Sequence, residues 1–385
     1  MRISAFEREG EPPTVMRARA GDLPRTMAQK ILAGRSADPS LAGDTVVAKV
    51  DQVVVARAPE RGLEEAVAQG LRRTPVETAV VYDGLCVTPG VGPSAERAAS
   101  SLALHDAVGY GILLARPGAG FPLPVHLERF ASPGRLCVTD EPRLAGAGGA
   151  GMLTWTLPTP LLARALVTGS VPLRVPRSIQ VQVSGRLRPF VAARDVGLEL
   201  LRRGLGEKVQ RLDALHRAPV VVEMVGPGVR LLSVTERAVV AGIAPALGAA
   251  AVLFTSDERT EVFLRDERRS KAHRALAPDA GAPFDDVLAV DLGAVDPLLQ
   301  DEQGAVRPVR DLAGKPVAQV LLGGDGGVTL RDLLATAALL KSKRVPPRLD
   351  LLVAPPSRQA LEVLATEGAV ADLAAAGARF VEPDV

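Results

Sequence analysis

A chain of 385 residues is long enough for more than one buried core, and 47% hydrophobic with only 3% aromatic residues describes a folded protein whose interior is Val, Leu and Ala. Forty-six Lys and Arg against 44 Asp and Glu leave a formal net charge of +2, so no global field draws the chain to nucleic acid or to an anionic membrane surface. Two cysteines exclude a disulfide framework, and no run of about 18 uncharged apolar residues offers a membrane span, so a soluble, cytoplasmic protein with no nucleic-acid or membrane partner is expected.

Residues 1–25 are polar, Arg-rich and punctuated by proline, and read as an N-terminal arm. From Thr26, TMAQKILAG predicts a short amphipathic helix with Met27, Ile31 and Leu32 on one face and Gly34 at its end. GDTVVAKVDQVVVA, Gly43 to Ala56, alternates and then runs apolar, as a strand or hairpin does. Glu64 to Leu71 is helical in pattern, TAVVYDGLCV is a buried strand ending at Asp83 and Gly84, and Ser94 to His105 is a helix before the strand YGILLA and the turn RPGAGFPLP. PGRLCVTDEPRLAGAGGAGM predicts a strand, then a glycine-rich loop opening onto a helix near Leu161 to Val167. Its glycines lack an acidic ribose partner about twenty residues on, so a flexible loop is expected there rather than a dinucleotide site.

Val175 to Pro189 reads as a strand with Ile179, Val181 and Val183 on one side. A helix from Ala193 to Arg203, the strand APVVVEMVG, a helix from Thr235 to Gly248 and the strand AAVLFT follow. Residues 266–310 turn acidic, proline-rich and poorly periodic, the pattern of a linker or excursion. Residues 311–385 then run strand, helix, strand, helix, strand, a third α/β domain. In its LLGGDGG turn, two glycines on either side of Asp325 let the backbone adopt left-handed angles and approach a ligand.

LVTGSVPLRVPRSIQVQVSGRLRPFVAARDVGLEL, LLSVTERAVVAGIAPALGAAAVLFTSDERT and TMAQKILAG with GDTVVAKVD resemble, in order, strings of the aconitase and 3-isopropylmalate dehydratase large-subunit superfamily. The resemblance implies layered α/β/α domains around a central cleft, residues 26–265 forming the first two, without the C-terminal swivelling domain. It also implies dehydration and rehydration of hydroxy acids on a [4Fe–4S] cluster held by three thiolates. Carried over residue by residue, the family's Gly-Ser-Cys-Thr-Asn turn falls on Gly323 to Gly327, which puts Asp325 at a thiolate position. The family's Glu-Pro-Gly, which a Cys-x-x-Cys follows, falls on Glu382, Pro383 and Asp384, so the third domain is expected to be truncated after Val385, before that Cys-x-x-Cys. In the family's Gly-Ser-Asp-Ser-His-Thr the Asp is Asp140 and the His is Pro142; its Asp-His pair is Asp83 and Gly84, and another His falls at Phe121. The family's Cys-Asn and later Glu correspond to Ala241, Gly242 and Ala246.

None of His105, His126, His216 or His273 matches a family position, and each reads as a surface or loop histidine, while Cys86 and Cys137 read as buried small hydrophobes in strands. The expectation is therefore a scaffold with no catalytic residue, no metal and no cofactor. Its old cleft, lined by Asp83, Phe121, Asp140, Arg143, Gly324, Asp325 and Gly326, would bind a peptide or small acidic ligand in a biosynthetic pathway, with a pathway enzyme or a small swivelling subunit as partner. Two alternatives stand beside it. One is a cluster-independent lyase or hydrolase in which Asp83, Asp140 and Asp325 converge, with Mg²⁺ or Mn²⁺; the other is a subunit that completes a true dehydratase.

Overall fold

The computed structural model describes residues 23–83, 104–325 and 327–381. Within them the chain folds as α/β layers around three parallel sheets. Strands β1 (Thr45–Lys49), β2 (Gln52–Val55), β3 (Thr78–Tyr82), β4 (Leu113–Ala115), β5 (Leu136–Thr139) and β6 (Leu153–Thr156) open the chain, and all but β1 form a five-stranded sheet in the order β4-β3-β2-β5-β6. After β7 (Ser170–Arg174), the strands β8 (Arg177–Ser184), β9 (Val220–Val225), β10 (Ala251–Phe254) and β11 (Asp286–Asp291) form a second sheet in the order β10-β9-β8-β11. A short antiparallel pair, β12 (Leu298–Gln300) and β13 (Val306–Pro308), precedes the third sheet of β14 (Gln319–Gly323), β15 (Asp350–Ala354) and β16 (Ala378–Phe380).

Parallel strands covered on both faces must be apolar on both, and β2 (QVVV) and β9 (VVVEMV) are buried at every position. The one charge in β9, Glu223, is fully buried and accepts hydrogen bonds from the first-turn amides of Met27 (2.9 Å) and Ala28 (2.8 Å). It thereby caps the helix Met27–Ala33, which also starts with a capping box between Thr26 and Gln29. Burial pushes the Glu223 carboxyl up to about 7, against those same backbone hydrogen bonds.

Several elements differ from the sequence reading. Gly43 to Ala56 is no hairpin: β1 pairs antiparallel with β7, while β2 enters the five-stranded sheet beside β3 and β5. The break falls at Asp51, whose buried carboxylate accepts from the Leu136 amide (2.7 Å) and pairs with Arg35 and Arg135. The predicted helix Thr235 to Gly248 is two, Val234–Ala241 and Ala244–Leu247, and the helix Leu205–His216 went unread. Residues 266–310 are not a linker, because β11 pairs with β8 along its whole length and Val290, Leu292 and Val295 are buried in the core of the second sheet. Gly84, Cys86 and most of the helix predicted at Ser94 to His105 lie outside the described residues.

The largest correction concerns AGAGGAGM. Pro142–Ala150 is a 3₁₀ helix whose residues from Leu144 onward are all buried. A Cβ on Gly148 would stand 1.8 Å from the Val252 carbonyl oxygen, and one on Gly149 would stand 2.3 Å from the Ala238 nitrogen. The glycines are there so that this segment can lie directly on β10 and on the helix Val234–Ala241. The helix is in turn locked by fully buried Arg237, which donates to the carbonyls of Leu232, Val229 and Thr255 and pairs with Asp257 at 2.7 Å.

The last unit is seated on the first by main-chain contacts. The Phe121 amide donates to the Pro356 carbonyl (3.0 Å), the Arg358 amide donates to the Ala119 carbonyl (3.1 Å), and the Ser357 hydroxyl donates to Glu128. These bonds carry the turn at Asp325 into the cleft.

Candidate functional site

The site is assembled where parallel strands end, at the carboxyl edge that open α/β sheets use for ligands. The 3₁₀ helix after β5 brings Glu141 and Arg143; the start of the helix Ala193–Arg202 brings Arg194; the turn after β14 brings Asp325. That turn needs glycine. Gly323 and Gly324 have φ of 111° and 81°, and a Cβ on Gly323 would fall 1.9 Å from the Ala354 carbonyl oxygen of the neighbouring strand.

Arg143 is the hub. Its Nε and Nη2 donate to the two carboxylate oxygens of Glu141 at 2.9 and 3.1 Å, a bidentate pair within one turn. Its Nε also lies 2.9 Å from Asp325 Oδ2. That N–H is directed at Glu141, so the contact with Asp325 is one of charge, and neither Asp325 oxygen accepts a hydrogen bond from the described residues. Arg57 adds a further positive charge, 3.4 Å from Glu141.

The two carboxyls are thus set apart. Glu141 is buried, which opposes its ionisation, yet the hydrogen bonds and charge of Arg143, with Arg57, hold it below the usual range. Asp325, its side chain 5% exposed, is pushed up to about 6 by burial, with Arg143 pulling it down and the neighbouring Glu141 charge adding to the rise. One carboxyl stays ionised while the other titrates near neutrality.

Arg143, Arg194 and Asp325 line one cavity of about 200 Å³, closed by Leu123, Ile243 and Gln300. Arg194 has no acidic partner among the described residues, so its guanidinium is available to an anion in the cavity.

Of the residues singled out from the sequence, Arg143 and Asp325 come together here, and Gly324 shapes the turn. Gly326 lies outside the described residues. Asp83, Phe121 and Asp140 do not line this cavity. The Asp140 carboxylate is spent on the amides of Ala56 (2.7 Å), Arg57 (3.2 Å) and Ala58 (3.1 Å), where it holds the turn after β2. Phe121 is buried at the start of the helix Pro122–Arg129, and Asp83 is buried at the end of β3 with one oxygen that has no hydrogen-bond partner among the described residues. Among the described residues no three His, Cys, Asp or Glu side chains come together as a metal site, so the three aspartates do not converge.

His126 is no surface histidine. It is fully buried, and because Gln52 Nε2 donates to the Phe130 carbonyl, Gln52 Oε1 must accept from His126 Nε2 (2.7 Å). Burial, with the nearby Arg269 charge, lowers it to about 3, so it stays neutral and structural. Glu141, Arg57 and Arg194 went unread as site residues. Arg194 did carry a signal, standing in the Arg-Asp-Val that opens its helix.

Residues 94–303, more than half of the chain, match the aconitase family (aconitate hydratase). The chain belongs to this family. It is 28% identical to the 3-isopropylmalate dehydratase large subunit 2 of Archaeoglobus fulgidus over 93% of its own length and 85% of the relative's. It is 29% identical to the 3-isopropylmalate dehydratase large subunit 1 of Deinococcus radiodurans over 97% and 84%, and 29% identical to the homoaconitase large subunit of Thermus thermophilus over 93% and 83%. These relatives overturn the reading of a retired scaffold that only binds a peptide or small acid: the likeness runs nearly end to end through dehydratase subunits.

The resemblance implies a cluster held by three thiolates. At the turn stands the Asp325 carboxylate, committed electrostatically to Arg143, and the one described cysteine, Cys137, is buried inside β5 with its thiol pushed up by burial. These residues do not fit a thiolate-held cluster, and no step below runs through one.

Proposed function

We propose that this chain is the large-subunit component of a hydro-lyase acting on a small hydroxy acid with two or more carboxylates, and that it works with a separate small subunit. The observation that carries this reading is the near-full-length likeness to dehydratase and homoaconitase large subunits. The cavity supports it. At about 200 Å³ it is below the size range of pockets for drug-sized ligands, and it suits a compact acid better than a peptide.

In this reading Arg194 takes a substrate carboxylate, since it lines the cavity without an acid of its own. Arg143 places positive charge beside the same space while Glu141 holds its fork in one orientation. Asp325 is the group suited to take or return a proton, because burial pushes its carboxyl up to about 6 and neither of its oxygens accepts a hydrogen bond from the described residues. Dehydration removes a hydroxyl from one carbon and a proton from its neighbour, leaving a carbon–carbon double bond conjugated to a carboxylate.

The test is to express the chain with a dehydratase small subunit, confirm the complex by size exclusion, and follow ultraviolet absorption of the conjugated product from 3-isopropylmalate and from the homoaconitase substrate. Turnover that requires the small subunit and falls at least about tenfold in Arg194→Ala is expected. A stable complex with no turnover of either acid would sink the proposal.

A further inference from the structure

A second, larger cavity lies at the other end of the strands. It is lined by Gln52 and Thr78, the first residues of β2 and β3, and by Gly134 and Arg135 just before β5, so it faces away from Asp325. Its volume is about 1130 Å³. Seven Lys and Arg side chains line it against two acids, Glu77 and Asp279, in a protein whose net charge is only +2.

Three of those cations are already balanced. Lys30 pairs with Asp279 at 2.6 Å, Arg35 pairs with Asp51, and Arg135 bridges Asp51 and Glu77 at 3.1 and 2.8 Å. Four are not. Arg129 and Lys271 make no ion pair among the described residues, and Arg274 donates only to the carbonyls of its neighbours Lys271 and His273. Arg269 donates to the carbonyls of Ala131 and Leu127, which orient its guanidinium near the Glu267 charge, and among the described residues its Nε has no hydrogen-bond partner. Ser256, 5% exposed on the same wall, likewise has a hydroxyl without a hydrogen-bond partner among the described residues.

Four cations without an ion pair among the described residues, two of them near the charges of Glu128 and Glu267, leave this concavity with an excess of positive charge that favours an anion. Phe130, Ile31 and Leu276 supply an apolar wall on the same cavity. We propose that this cavity is a second ligand site, for a phosphate-bearing small molecule with an apolar or aromatic body, the chemistry of a nucleoside phosphate. The phosphates lie among Arg129, Arg269, Lys271 and Arg274, and the body packs toward Phe130. The site is separate from the hydro-lyase cleft, and its test does not depend on turnover.

Isothermal titration calorimetry with ATP, and with inorganic phosphate as competitor, decides it on the intact chain. Expected are ATP binding that weakens as salt is raised, displacement by excess phosphate, and a loss of at least about tenfold in Arg129→Gln/Lys271→Gln. Arg274→Gln serves as a second variant, since its side chain touches only adjacent carbonyls. Circular dichroism confirms that both remain folded. No heat with millimolar ATP, or ATP affinity unchanged in both folded variants, would overturn the assignment.

Discussion

The substitution Gly148→Ala tests whether the 3₁₀ segment is a packed strut, not a flexible loop. The added Cβ would stand 1.8 Å from the Val252 carbonyl oxygen and 3.0 Å from its carbon, where carbon and oxygen normally keep about 3.3 Å or more, so one element must shift by about 1.5 Å. Val252 is fully buried and hydrogen-bonded into the second sheet, opposite Val222, so the obstacle is main chain that cannot rotate aside. Overpacking of a tight interior costs about 1–3 kcal/mol and more where backbone must move, so a loss of about 3 kcal/mol is expected, read as a lower midpoint in urea denaturation. Because Arg143 starts the same segment, hydro-lyase turnover should fall with it. Gly109→Ala is the control: nothing lies within 4 Å of its Cβ, so stability should change by less than about 0.5 kcal/mol. If Gly148→Ala proved as stable as the control, the packing account of this segment would be wrong.

Three other outcomes follow from the same structure. Arg194→Ala, at an exposed position with no ion pair among the described residues, should leave the urea midpoint unchanged and raise KM at least about tenfold, which initial-rate kinetics would show. Glu223, at about 7 instead of 4.5, binds its proton more tightly in the folded state than in the unfolded one, so its contribution to stability falls as pH rises from about 4.5 to about 7. Glu223→Gln should therefore flatten the decline between pH 5 and pH 8 by up to about 3 kcal/mol, measured as urea midpoints at the two values. Gly120→Ala would put a Cβ 2.6 Å from Ser357 Cα at a φ of +122°, so faster hydrogen exchange at the Phe121 and Arg358 amides is expected, with the β8 and β9 amides unaffected.

Much of the fold was legible because local pattern and tertiary role coincide. The nearly all-apolar run of β9, broken only by Glu223, reads as a strand buried on both faces, and TMAQKILAG shows its helix by the spacing of Met27, Ile31 and Leu32. The glycine-rich segment failed that logic. Glycine signals permission for a close approach without naming what approaches, and Val252 and Ala238 are about a hundred residues farther on. The interval 266–310 was misread for a related reason: β11 lies at the edge of its sheet, so its polar residues face solvent and its periodicity is weak beside that of β8.

By itself the sequence determined the family, the α/β layering and the glycine turn around Asp325, since each is written in contiguous residues. Which groups share the cleft was decided only by tertiary structure. Asp140 looked like a site residue and became the cap of a turn, while Glu141, the next residue, became the partner of Arg143. Adjacent side chains in extended chain point opposite ways, and the direction that faces the cleft depends on how three sheets meet. Charge balance is likewise a property of space: a chain almost neutral overall gathers, at one edge of its strands, four cations that make no ion pair among the described residues, and at the other a carboxyl that burial pushes up to about 6.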